Sequence, residues 1–207
     1  MVKNIFFDFG RTLVEHPEDG AGLQIVLDTG VDNIQDALLI RDEIFSVEKY
    51  LNDLDEGLMS YDEYKKMVVD AVPERLRKYA ETAVMYDIRV LPMISGMEQL
   101  LLQLKNDGFK LYITSNMNER HAKQMREHKI AKYFDDMIFS AEIKTRKPYK
   151  EFFNAAFDKF GVKAEDCIFI DDLEENVIGA KACGIRGFVF KGDAKEAEEF
   201  IYNVCQK

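Results

Sequence analysis

An aspartate directly behind a run of apolar residues gives the first sign of chemistry in this chain, in the stretch Asn4-Ile5-Phe6-Phe7-Asp8-Phe9-Gly10-Arg11-Thr12-Leu13. Ile5, Phe6 and Phe7 are β-branched or aromatic, and so short and continuous a run predicts a parallel strand buried on both faces. Asp8 closes that strand, and open α/β sheets bind their ligands at the carboxyl ends of strands. A carboxylate there can act on a ligand, or do no more than cap the next turn. Three other stretches bear on the choice: Thr114-Ser115-Asn116 closing a second apolar run, Lys147-Pro148 in a basic loop after a third, and Asp171-Asp172 closing a fourth. Each alone is ordinary turn or cap chemistry. Gathered at one sheet edge they amount to two or three carboxylates, a hydroxyl, a carboxamide and an ammonium. Carboxylates that close together repel one another unless a cation joins them. Mg²⁺ is the usual divalent partner of one or two carboxylates and a phosphate.

The spacing between these stretches predicts the elements that gather them. The polar run Glu15-His16-Pro17-Glu18-Asp19-Gly20 leaves the first strand. From there to about Ile88 no strand pattern occurs. Ile34, Leu38 and Phe45, then Tyr61, Tyr64, Met67 and Val68, recur at helical spacing, and Ser60 with Glu63 matches a capping box. A small helical unit inserted into the chain follows from this, with Leu91-Pro92 as the re-entry point because proline biases its predecessor towards extended backbone. Ser95-Gly96 precedes a stripe of Met97, Leu100, Leu101 and Leu104 that stops at Asn106-Asp107-Gly108. A strand over 109–114 comes next. Asn118 can then cap a helix that passes Met125 and ends near Ile130, with His121 and His128 on its surface and edge. A strand over 137–139, a helix through Phe152, Phe153, Ala156 and Phe157 to Gly161, a strand over 167–170 and a helix through Val177 and Ala180 to Gly184 continue the alternation. Phe188-Val189-Phe190 and a charged C-terminal helix complete it. The pattern predicts an α/β fold, a Rossmann-like doubly wound parallel sheet with right-handed crossovers. Residues 1–15 and 90–207 would form this core, and 16–89 the helical cap.

Composition narrows the function further. A chain of 207 residues, 47% of them hydrophobic, can bury a substantial core. Its net charge of −10 argues against nucleic acid or an anionic membrane as partner, since both need clustered Lys and Arg. An anionic ligand must then be held by a local site. Cys167, Cys183 and Cys205 form no Cys-x-x-Cys pair, which suggests structural, reduced thiols in a cytoplasmic setting. The N-terminal apolar run is too short to be a signal or a membrane span.

At this point the chain resembles a known family, the haloacid dehalogenase superfamily, whose members are chiefly phosphatases. Asp8-Phe9-Gly10-Arg11-Thr12-Leu13 resembles its first motif, Thr114-Ser115-Asn116 its second, Lys147-Pro148 its third, and Ile170-Asp171-Asp172 with Asn176 its fourth, in the family's order. Asp55-Glu56-Gly57 followed by Ser60 and Glu63, together with Ser115-Asn116-Met117-Asn118, resembles a branch that has a helical cap and Gly where most members carry a second Asp. Some phosphatases of that branch act on sugar phosphates. The resemblance implies that Asp8 is a nucleophile forming an aspartyl-phosphate, and that Asp8, the Gly10 carbonyl, Asp172 and, through water, Asp171 hold Mg²⁺. It also implies that Ser115, the Asn116 backbone N–H and Lys147 hold phosphoryl oxygens, with Asn176 in support. The expected ligand is a small phosphorylated metabolite such as a sugar 1-phosphate. Gly10 keeps a carbonyl but has no side chain to protonate a leaving group, and Glu15 and His16 are the ionisable residues next along the chain. Two rival activities remain open: hydrolytic dehalogenation, which needs no Mg²⁺ and leaves Asp171-Asp172 without a purpose, and sugar-phosphate binding without turnover.

Overall fold

In a computed structural model, residues 2–17, 20–45 and 50–205 are described. Glu18 and Asp19 of the predicted polar turn lie outside them. The first strand, β1 (Asn4–Phe7), is followed among the described residues by the helices α1 (Ala21–Leu27), α2 (Ile34–Ile44), α3 (Asn52–Asp55), α4 (Tyr61–Ala71) and α5 (Arg77–Ala83). Helix α6 (Met97–Asn106) leads into β2 (Lys110–Ser115), α7 (Glu119–Arg126), β3 (Asp136–Phe139) and the single turn α8 (Ser140–Ile143). Then come α9 (Lys150–Phe160), β4 (Cys167–Asp171), α10 (Glu174–Ala182), β5 (Arg186–Val189) and α11 (Ala194–Cys205). The five strands form one sheet in the order β3-β2-β1-β4-β5, and every neighbouring pair is parallel. Asp8, Ser115 and Asp171 thereby reach the same edge, as the doubly wound reading requires.

Why the sheet is buried on both faces is visible in β1. Ile5 and Phe7 join one apolar cluster with Met97, Leu101 and Ile113, while Phe6 joins another with Phe152, Phe153 and Phe169. Successive side chains of a strand point to opposite faces, so a continuous apolar run is what two covered faces require. A third cluster, containing Val26, Ile40, Ile44, Tyr64, Val68 and Ala80, belongs to the helices between β1 and β2. It holds those helices together apart from the sheet.

Local signals act as expected at several ends. Ser60 accepts from the Glu63 backbone N–H while the Glu63 carboxylate accepts from the Ser60 N–H, a complete capping box on α4. Asn118 caps α7 by accepting from the His121 N–H at 3.0 Å. Gly161 takes a left-handed conformation, φ 66°, where α9 stops.

Other expectations need correction. The buried face of α2 is Ala37, Ile40 and Ile44, and Ile34 is 48% exposed. In α4, Tyr64 and Val68 are buried but Met67 is 41% exposed. Both helices present one stripe to a small core, and a residue one step round the helix falls outside it. Helix α7 ends at Arg126 and not near Ile130, because the next turns tighten: the Glu127 N–H bonds the Gln124 carbonyl and the His128 N–H bonds the Met125 carbonyl. His121 and His128 are buried, contrary to the expected surface and edge. The side of α7 that carries Ala122 and Met125 packs into the core, and His121 continues that side beneath Tyr61 and Tyr86.

Gly179 on α10 fixes how the Lys147 loop meets the helices. A β-carbon there would lie 2.4 Å from the Pro148 carbonyl oxygen and 2.8 Å from Pro148 Cβ. Only hydrogen lets the two backbones come this close. Gly179→Ala should therefore destabilise the fold by about 1–3 kcal/mol, the usual range for overpacking. Urea unfolding checks it, and an unchanged midpoint would show that the loop can move aside freely.

Candidate active site

The strand ends bring the predicted residues around one buried ammonium. Lys147 is 1% exposed, and its Nζ donates to Asp8 Oδ1 at 2.6 Å and to Asp171 Oδ2 at 2.7 Å. Burial opposes charge on this amine, yet the two carboxylates outweigh it and hold its pKa above the ordinary value. Asp171, the last residue of β4, also accepts from the Leu173 N–H at 2.9 Å and from Asn176 Nδ2 at 3.0 Å. Asn176 thus supports Lys147 indirectly, through Asp171. Asp172 stands next to this group, half-buried.

Three carboxylates meet here, and one ammonium does not balance them. Asp8, Asp171 and Asp172 each offer an oxygen within 4.8 Å of the others. Burial first, and then the neighbouring carboxylates, push Asp8 up to about 7 against the opposing pull of Lys147. Burial and Asp171 likewise push Asp172 up to about 6. Three carboxylates this close offer an excess of hard oxygen donors, which suits a divalent cation such as Mg²⁺.

Ser115 is 3% exposed at the end of β2. Asn116 shows a role that sequence reasoning missed: its side-chain Oδ1 accepts from the Lys147 backbone N–H at 2.8 Å, and its Nδ2 donates to the Lys147 carbonyl at 3.1 Å. This clamp fixes the loop while leaving the Asn116 backbone N–H out of it. A carboxamide directly after a strand-end serine was the available signal, since only Asn or Gln offers a donor and an acceptor together.

Gly10 also has a close neighbour. A β-carbon at position 10 would lie 3.1 Å from His16 Cδ2, so the His16 ring stands where a side chain of residue 10 would begin. Glu15 is exposed.

A cavity of about 270 Å³ joins these groups to the helical unit. Asp8, Ser115 and Lys147 line one side, and Asp55, Tyr64 and Tyr86 line the other. Main-chain acceptors dock the helical unit over it. Ser140 Oγ donates to the Asp55 carbonyl, Lys144 Nζ to the Gly57 carbonyl at 2.9 Å, and Arg120 to the carbonyls of Met85 and Tyr86 at 2.7 Å each. Gly57, at φ 70°, has no room for a side chain: a β-carbon would meet Lys144 Nζ at 2.4 Å and the Ala141 carbonyl oxygen at 2.7 Å.

A five-stranded parallel sheet with a carboxylate at the end of its first strand, a lysine-bridged acidic cluster and a helical unit over the cavity defines an α/β fold with a candidate hydrolytic site at its strand ends. Residues 5–190 match the haloacid dehalogenase-like hydrolase family, and the chain belongs to that family. It is similar to a glyceraldehyde 3-phosphate phosphatase of Methanocaldococcus jannaschii, with 25% identity over 98% of this chain and 91% of that protein. It is also similar to a D-ribitol-5-phosphate phosphatase of Bacteroides thetaiotaomicron, with 24% identity over 91% of each. Among solved structures, a family enzyme from Bacteroides thetaiotaomicron in complex with magnesium and inorganic phosphate superposes with a TM-score of 0.68 at 24% identity, over 95% of this chain and 99% of that one. The L-2-haloacid dehalogenase of Xanthobacter autotrophicus also gives 0.68, at 17% identity over 98% and 83%. At such identities the structural likenesses speak for the fold alone. No helix among the described residues is long and apolar enough to cross a membrane.

The buried histidines carry a pH signature. Burial, and then Arg120, lower His121 from 6.5 to about 3. An unfolded chain protonates this ring first, so its contribution to stability is complete above pH 6.5 and is lost as pH falls towards 3. The loss approaches about 1.4 kcal/mol per pH unit. His121→Phe should flatten that acid slope relative to the unmodified protein, and denaturant unfolding at pH 7, 6, 5 and 4 reads it. Parallel slopes for the two proteins would contradict a neutral buried ring.

Proposed function

We propose that this phosphatase is a Mg²⁺-dependent phosphomonoester hydrolase acting through an aspartyl-phosphate on Asp8, with a small sugar phosphate such as a sugar 1-phosphate as substrate. The observation that carries the reading is Asp8, bonded to buried Lys147 and grouped with Asp171 and Asp172 at the cavity wall. Phosphatase relatives that match nearly the whole chain support it. The reading divides the chain into a core of 1–15 and 90–207 and a cap of 16–89, in a cytoplasmic setting that agrees with three free cysteines.

The Asp8 carboxylate attacks phosphorus, the ester oxygen departs, and water then cleaves the acyl-phosphate to restore Asp8. Lys147, the Ser115 hydroxyl and the Asn116 backbone N–H hold the equatorial oxygens as charge shifts in the transition state. Asp8, Asp172, the Gly10 carbonyl and, through water, Asp171 would hold Mg²⁺. When bound, Mg²⁺ supplies positive charge that offsets repulsion between a carboxylate and a phosphate dianion. The cap limits water around these groups. Hydrolytic dehalogenation would leave the acidic cluster without a purpose.

Asp8→Asn should abolish Mg²⁺-dependent hydrolysis of p-nitrophenyl phosphate, because it removes the nucleophile with little change of shape. Asp172→Ala should raise the Mg²⁺ concentration needed for half-activity far more than Asp171→Ala. The lone pairs of Asp171 already accept from Lys147, Leu173 and Asn176. Metal titration of both variants decides it, and equal shifts would mean that both carboxylates ligate.

Gly10 makes leaving-group acidity matter. With no carboxyl at position 10 to donate a proton, esters of acidic hydroxyls are favoured, and the anomeric hydroxyl is a sugar's most acidic. Gly10→Asp combined with His16→Ala, which clears the ring from the new β-carbon, should raise kcat/KM on plain alkyl phosphates by about 10–100-fold. p-Nitrophenyl phosphate, whose leaving oxygen needs no proton, should gain much less. Equal gains, or none in a folded variant, would show that another group already supplies the proton.

A further inference from the structure

The far side of the cavity holds a polar array that the catalytic reading does not use. Asn118 stands at its centre. Its Oδ1 accepts from the His121 backbone N–H at 3.0 Å, which fixes the amide's orientation. Its Nδ2 therefore faces two acceptors, Asp55 Oδ1 at 3.2 Å and His121 Nδ1 at 3.1 Å. Since Nδ1 accepts, the proton of the neutral imidazole sits on Nε2. That N–H is a donor, and it is buried with no partner among the described residues. His121 is 7% exposed and lines the same cavity as Asp8. Aromatic rings hold it in place, with the Tyr86 centroid at 4.8 Å and that of Tyr61 at 5.8 Å.

An unpaired buried donor costs free energy unless something fills it, and a cavity-lining position makes a ligand the natural filler. The neighbouring groups define what that ligand is. Asp55 is an acceptor supplied from the cap and His121 is a donor supplied from the core. A ligand carboxylate or second phosphate would face repulsion from Asp55, and a ligand ammonium would set its own donors against Nε2–H. A hydroxyl both accepts and donates, so a chain or ring bearing hydroxyls satisfies both groups without a net charge. Between these polar points the wall is apolar, with Phe45, Leu54 and Ile88 available to the C–H faces of a carbohydrate.

We propose that His121 and Asp55, oriented by Asn118, form the subsite that recognises the leaving group and select phosphate esters of neutral, polyhydroxylated compounds over equally shaped alkyl esters. This rests on the proposed phosphatase reading for the position of the phosphate only. The subsite spans the two halves of the cavity, so it fills both of its polar sides only when α3, which ends at Asp55, is docked.

The test is binding, measured by calorimetry with Mg²⁺ on Asp8→Asn protein, so that esters persist. Two pairs share a skeleton and differ in hydroxyls: α-D-glucose 1-phosphate against cyclohexyl phosphate, and ribitol 5-phosphate against n-pentyl phosphate. In at least one pair the hydroxylated ester should bind about tenfold tighter or more, the usual discrimination of a buried hydrogen-bonding site. Adding His121→Phe, which keeps the aromatic packing, or Asp55→Asn, at the end of α3, should each shrink that ratio by about tenfold. Thermal melts confirm that each variant is folded, and Asp55→Asn gives the answer if His121→Phe is not. A ratio near one in both pairs, a ratio that survives both substitutions, or no binding of either hydroxylated ester overturns the subsite. Hydrolysis of p-nitrophenyl phosphate by the unmodified protein is read separately, so a protein that binds selectively without turnover would sink the phosphatase reading and leave the subsite standing.

Discussion

The ammonium of Lys147 is the interaction on which the rest depends. It is 1% exposed, and it joins the end of β1 to the end of β4 through Asp8 and Asp171. Its pull opposes the burial that pushes Asp8 towards the neutral form, and a lone buried lysine would lose its proton. The surroundings serve this arrangement: Asn116 clamps the backbone of Lys147, Asn176 and the Leu173 N–H hold Asp171, and Gly179 lets the loop lie against α10. Removing one partner leaves a buried charge unpaired, which is costlier than the pair's net worth.

Much of this was legible in the sequence because strand ends are marked by abrupt changes of polarity. Ile5-Phe6-Phe7 before Asp8, and Cys167-Ile168-Phe169-Ile170 before Asp171, are too apolar for anything but buried strands, and the sheet order brings their ends together. Ser60 with Glu63, and Asn118, announced their helices because caps are local chemistry. The partners that these residues choose in space were not legible. Nothing in a linear reading tells that the Asn116 side chain turns to Lys147, or that Asn176 bonds Asp171 and not Lys147.

The helices between β1 and β2 were read less well for a related reason. Their cluster is small, so amphipathic stripes are narrow and a residue such as Ile34 or Met67 can sit at helical spacing yet outside the packed face. His121 and His128 went astray differently: a polar residue on a helix is usually exposed, and only the docking of the helical unit above α7 buries His121. Asp55, drawn to attention by resemblance alone, gains a physical meaning once the Asn118 amide is seen between it and His121.

Four of the bonds that dock the helical unit share one property, beside the side-chain contacts of Asn118 with Asp55 and of Arg146 with Glu56. Ser140, Lys144 and Arg120 donate from core side chains, and their acceptors at Asp55, Gly57, Met85 and Tyr86 are main-chain carbonyls. Every amino acid carries a carbonyl, so this part of the docking is written in backbone shape. Glycine at 57 is the exception, demanded by its contacts with Lys144 and Ala141. Side chains that face the cavity from the helical unit, Asp55 aside, can therefore drift in sequence without loosening these four bonds. Such an arrangement lets a lineage change what it hydrolyses while keeping the machinery of hydrolysis, and its closure, in place.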